Sequence, residues 1–238
     1  MFIKDYYNEQ QDGICFTRKH ASDFAKHIAD DFNPIHDIDA KRFCVPGDLL
    51  FSIILAKYGL SQHMEFIFSG MVTEGVDLLL PEPSSHMEIK DRNGREYLSI
   101  KRSGDNSADE KMIEKMTRSY VAFSGHTFPH ILVPLTAKHN VMINANRPMV
   151  IYESMSIGLD RLDLQNPTLQ VDHNELEMTG KRGNALLAFN ILEDDKIVGR
   201  GQKRMVLSGL REYHKAEMDD AIETYLQRKK HYFESAIV

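Results

Sequence analysis

The run from Leu49 to Ala56, Leu-Leu-Phe-Ser-Ile-Ile-Leu-Ala, is apolar on nearly every face of a helix. It starts after Pro46-Gly47 and stops near Gly59, a start and a stop that suit a helix. A helix with no polar face cannot lie on a surface, because any side left in water wastes apolar area. The chain must therefore surround this helix, and the next stretch of sequence is strand-forming. Runs at 64–72, 75–80, 86–89 and 97–101 are rich in strand formers, with Asn93-Gly94 as a hairpin turn between the last two.

The same order recurs further on. The segment 103–117 is polar and reads as a connector. After it come a short strand at 119–123, a helix over 129–139, and strands at 150–159, 168–178, 185–192 and 203–207. Asp194-Asp195-Lys196 is a turn within that antiparallel set, and residues 212–233 form a charged helix with apolar positions at Met218, Ile222, Tyr225 and Leu226. The expected fold class is α+β, with antiparallel sheets each wrapping a central helix. The units span 1–105 and 118–238. The halves share little residue-level identity, so this repeat is one of architecture.

Composition removes several functions. The formal charge is −6 over 238 residues, and no dense basic block is interleaved with aromatics, so nucleic acid is not an expected partner. Cys15 and Cys44 are the only cysteines and form no CxxC pair, which gives neither a disulfide scaffold nor a thiolate metal site. The first residues lack the layout of a secretory signal, and no apolar run reaches membrane-spanning length. A cytoplasmic protein without a membrane partner is expected.

The chemistry-bearing stretch is Asp31-Phe32-Asn33-Pro34-Ile35-His36. Residues 20–28 have helical apolar spacing. Asp and His five apart would not face each other if that helix ran on. Asn33-Pro34 breaks it and folds the chain back, which can return His36 beside Asp31. Gly47 then heads the buried helix, where unpaired N–H groups and the positive dipole end favour a developing negative charge.

This hexapeptide, preceded by a short helix and followed by Val45-Pro46-Gly47 and the buried helix with Ser52, resembles the active-site segment of the MaoC-like, (R)-specific enoyl-CoA hydratases. The likeness covers roughly residues 15–80, and two units in one chain resemble the double-hotdog members. The whole chain is also similar to an uncharacterised bacterial protein family. The resemblance implies that Asp31 and His36 activate one water, that Asn33 holds the returning loop, and that the Gly47 amide, with Ser52 a turn away, binds the thioester oxygen. It implies an acyl-CoA or acyl carrier protein thioester as partner, no cofactor, and a monomer or homodimer. Two further readings stay open: a hotdog thioesterase, and a non-catalytic acyl-CoA-binding module. Relative to the family, the segment between His36 and Gly47 is short, Leu55 stands where a helix serine is usual, and Asp48 replaces an apolar residue. An inward Asp48 carboxylate would oppose an enolate at Gly47.

Other motifs are weaker. His126 and His130 have the spacing of a metal pair, with His139 nearby, but lack a third ligand, so no metal is expected. Gly180, Gly183, Gly199 and Gly201 read as turns or bulges rather than a phosphate loop. The basic run Arg228-Lys229-Lys230-His231 is a solvated helix end or a contact for coenzyme A phosphates.

Overall fold

The structure, a computed structural model, describes residues 1–145 and 147–235. A 3-10 turn at Phe2–Tyr6 leads into β1 (Asn8–Glu9) and β2 (Gly13–Cys15), then α1 (Arg18–Asp23), which widens into a π-helical turn over Phe24–Ile28. After a 3-10 turn at Pro34–His36 come α2 (Gly47–Tyr58), β3 (Leu60–Phe68), β4 (Leu78–Leu79), β5 (His86–Asp91) and β6 (Glu96–Ser107). The second half runs α3 (Glu110–Gly125), α4 (Thr127–His130), α5 (Leu132–Ala137), β7 (Val141–Met142), β8 (Val150–Leu159), β9 (Thr168–Thr179), β10 (Arg182–Glu193), β11 (Lys196–Ser208), β12 (Arg211–Glu212) and α6 (Lys215–Ser235).

Ten of these strands form one antiparallel sheet in the order β1-β2-β4-β5-β6-β3-β8-β11-β10-β9. In both halves the first strand of this sheet after the central helix is the inner one, and the last strand that the half gives to this sheet pairs beside it. The two inner strands, β3 and β8, meet antiparallel with Glu65 opposite Ser156, so an approximate twofold runs through that seam. This is a double hotdog: one continuous sheet curled over two helices. β7 and β12 make a separate two-stranded ribbon.

Helix α2 is the fully apolar one. Leu49, Leu50, Phe51, Ile53, Ile54 and Leu55 are all buried, and each such side chain contributes roughly 1.5–3 kcal/mol by leaving water. Phe51 meets Phe66 of β3 edge-on at 5.2 Å and Tyr120 of α3 at 4.6 Å between ring centres, so sheet and second helix close on it from two sides.

The second central helix is α3, which corrects the sequence reading in three places. Residues 103–117 are not a connector, because β6 continues to Ser107 and Asp109 caps a helix by accepting from the Met112 amide at 2.9 Å. Residues 119–123 are helical rather than a strand. The helix at 129–139 is only the short α5 and does not lie under the sheet's middle. The charged Glu110, Lys111, Glu114 and Lys115 disguise an amphipathic helix whose inner stripe is Met112, Ile113, Met116, Tyr120 and Val121. The strands at 150–159 and 168–178, the Asp194-Asp195 turn with both residues at positive φ, and the C-terminal helix lie where the sequence places them.

Candidate functional site

The chain reversal that carries the hexapeptide begins earlier than Pro34. Asp30 adopts a left-handed conformation (φ 54°), and the Asp31 amide donates back to the Ala25 carbonyl at 2.8 Å, which ends the π-helical turn. Gly125 at the end of α3 receives this turn: a Cβ there would lie 1.6 Å from the Ala29 carbonyl oxygen. Asn33 and Pro34 have the next task. The Asn33 side-chain oxygen accepts from the Ile35 amide at 3.2 Å and caps the 3-10 turn that Pro34 opens.

That turn brings the pair together. His36 Nε2 lies 3.7 Å from Asp31 Oδ2, too long for a direct hydrogen bond and short enough for one water to bond both. His36 Nδ1 donates to the Cys44 carbonyl at 2.7 Å; a carbonyl only accepts, so this contact puts the proton on Nδ1 and leaves Nε2 of the neutral ring as an acceptor. Asp31 Oδ1 accepts from the Asn33 amide at 2.8 Å, leaving Oδ2 toward His36.

Both residues line a cavity of about 630 Å³ between the hexapeptide loop, the head of α2 and helix α6. Its walls are mainly apolar, including Leu50, Val72, Phe128, Met149 and Met205, which suits a hydrocarbon chain. Gly47 also lines it, at the head of a helix whose N-cap, Pro46, offers no capping side chain. The need for glycine here has a source that sequence did not show. Tyr152 of β8 packs on the Gly47 Cα, where a Cβ would come within 2.7 Å of its ring, and Phe68 stacks on Tyr152 at 4.5 Å.

One expected contribution differs. The Ser52 hydroxyl donates to the Asp48 carbonyl at 2.6 Å inside the helix, and Ser52 is not among the cavity-lining residues, so it has no hydroxyl to offer a ligand. Asp48 does point inward. Burial raises its carboxyl pKa above the usual aspartate range, against the pull of the Lys203 ammonium and the Ser124 hydroxyl. Lys203, on β11, is buried, donates to Ser124 Oγ and holds its ammonium 4.1 Å over the Tyr152 ring. Burial also pushes the Tyr120 and Tyr152 hydroxyls well above their ordinary value, and these two bond each other. Cys44, by burial, is pushed up to about 12, so its thiol is no nucleophile.

Sequence reasoning missed Lys203, Ser124 and Tyr152. The signal for Lys203 was present: it shares the inward face of its strand with Met205 and Leu207, a place where lysine is out of pattern.

Helix α6 roofs the loop. Phe32 is buried among the rings of Tyr225, Tyr232 and Phe233, and its amide donates to the Tyr225 hydroxyl at 3.2 Å. Arg228 pairs with Asp37, and Lys229 with Asp30. These two cations thus bind the loop's own carboxylates. His126 bonds Asp30 at 3.0 Å, and among the described residues no cluster of three His, Cys, Asp or Glu could hold a metal. No helix of the described residues is long and apolar enough to cross a membrane.

Fold and cavity together define a double-hotdog protein with an Asp–His pair at the head of one buried helix. Over residues 1–216 the chain matches the family described as "Protein of unknown function (DUF3581)", and it belongs to that family. No curated protein matches the sequence. Among solved structures it is similar to the acyl-CoA thioesterase II TesB2 of Mycobacterium marinum, at 10% identity and a TM-score of 0.40, covering 71% of this chain and 90% of that one. It is likewise similar to a TesB protein of Mycobacterium avium subsp. paratuberculosis, at 9% identity and a TM-score of 0.41, covering 69% and 87%.

Proposed function

We propose that this protein activates one water against an acyl thioester held in the cavity, and that the reaction is reversible hydration of a 2-enoyl thioester. The observation that carries the reading is the facing of His36 Nε2 and Asp31 Oδ2 at 3.7 Å within a largely apolar cavity that Gly47 also lines. Nε2 takes a proton from the bound water as its oxygen attacks the β-carbon. The proton returns to the α-carbon from the same pair, and the negative charge that develops on the thioester oxygen faces the positive end of α2. The water's hydroxyl and one proton add across the double bond, and nothing else is consumed. The acyl chain lies along Leu50, Val72 and Met205.

Hydrolysis is the second reading. What favours it is the locked tautomer of His36: a single fixed base with one water serves attack on the thioester carbonyl and needs no proton delivered to carbon.

One assay separates the two. Short, medium and long 2-enoyl-CoA esters are incubated with the protein, and loss of the conjugated absorbance is monitored beside release of free thiol. Absorbance loss without thiol supports hydration; stoichiometric thiol supports hydrolysis. Neither signal, with acyl-CoA still bound, would leave a binding module.

A further inference from the structure

The wall of the cavity between α2, α3 and β11 carries a second polar pole that the water-activating pair does not use. Asp48 Oδ1 is buried and has no hydrogen-bond partner in the protein. Lys203 lines the same cavity, its ammonium holding Ser124 Oγ and the Tyr152 ring, and among the described residues no carboxylate lies within 4.0 Å of it. Asp48 and Lys203 thus both line one space and form no salt bridge with each other.

The charges select what can sit there. An anion would meet Asp48, and a cation would meet Lys203. A methylene would leave the Asp48 oxygen unsatisfied in a place that water has left. A neutral group that donates through one atom and accepts at the same atom satisfies both, and the smallest such group is a hydroxyl. We propose that this wall binds a hydroxyl on the acyl chain, donating to Asp48 Oδ1 and accepting from Lys203 Nζ, so that the cavity selects hydroxylated acyl thioesters over plain ones.

This specificity rests on the acyl-thioester reading above. The hydroxyl concerned lies beyond carbon 3, because a hydroxyl on carbon 3 is the one that the Asp31–His36 water forms. The cost of an apolar occupant explains why Asp48 and Lys203 stand in a cavity otherwise lined by hydrocarbon: they are a filter, since a site built to hydrogen-bond a hydroxyl rejects the analogue without it.

The test is direct binding by calorimetry of saturated acyl-CoA esters of six to eight carbons, each compared with its 4-, 5- or 6-hydroxy counterpart. We expect at least one hydroxy ester to bind on the order of tenfold tighter than its parent, as one well-placed hydrogen bond gives. Lys203→Met and Asp48→Leu should bring that ratio to about one. Should either fail to fold, Lys203→Gln and Asp48→Asn, which keep side-chain size, should reduce the ratio part of the way. Equal binding of every pair by the natural chain overturns the filter and leaves the acyl-thioester reading standing. A preference that persists in all four variants also overturns it. Failure to bind any ester overturns both.

Discussion

The α-carbon of Gly125 lies against the carbonyl of Ala29, so close that a methyl group would sit 1.6 Å from the oxygen. The contact joins the end of the second central helix to the residue just before the Asp30 reversal, and so sets where the hexapeptide loop starts. Backbone on both sides leaves nothing flexible to move aside. Gly125→Ala should therefore lower stability by about 1–3 kcal/mol, in the range of overpacked cores, and should displace the loop that carries Asp31. Chemical denaturation with the transition midpoint as readout checks the first part. A midpoint equal to that of the natural chain would show that the two segments separate freely.

Asp31 and His36 should be needed together. On the proposed mechanism each holds the same water, so His36→Gln and Asp31→Asn should each reduce turnover by about 10²-fold or more, and the double variant should lose little beyond the worse single one. Full multiplicative loss in the double variant would argue that the two act at separate points. Both side chains are partly exposed to the cavity, so folding should survive, as circular dichroism would report.

How far this site is legible in the sequence depends on what each residue needs. The Asp31–His36 pair can be read because its geometry is local: a left-handed residue, a proline turn and a six-residue span. The buried helix is legible because apolar residues on all faces have only one use. Helix α3 is not, since exposed charges at its start look like a polar linker, and only the sheet packed on its far side reveals the Met112–Met116–Tyr120 stripe. Lys203 and Ser124 are 79 residues apart, and no local pattern announces a contact made by the curl of the sheet. Asp48 stands out in the sequence as an acid at the head of an apolar helix; that it faces a lysine from the other half needs coordinates.

Asp48 should leave a mark on the pH dependence of stability. Its folded-state pKa is raised by burial above the ordinary aspartate value of about 3.9, so the folded chain binds this proton more tightly than the unfolded chain. Below the ordinary value the group is neutral in both states and costs nothing. As pH rises from there through the raised value, the folded state resists ionisation, so this group's contribution to stability falls and then levels off. Asp48→Asn should remove that decline and should be more stable than the natural chain at neutral pH, relative to any difference in acid. Denaturation midpoints from acid to neutral pH would show it. Parallel curves for the two chains would mean that Lys203 fully offsets the burial.

The roof over the loop depends on one hydrogen bond that can be removed without altering packing. The Phe32 amide is buried and donates to the Tyr225 hydroxyl at 3.2 Å, across 193 residues of sequence. Tyr225→Phe keeps the ring against Phe32 and Phe128 but leaves this donor unpaired, which costs about 1–3 kcal/mol. The cost should appear locally. Helix α6 also holds the loop through Arg228 to Asp37 and Lys229 to Asp30, both partly exposed and so screened by salt. In Tyr225→Phe the Phe32 amide should exchange with solvent on the order of tenfold faster or more, and faster still at high salt, while amides in β10 stay protected. Exchange unchanged at Phe32 would mean that the ring stack and the ion pairs suffice to keep α6 seated, and that the hydroxyl bond contributes nothing to closing the cavity.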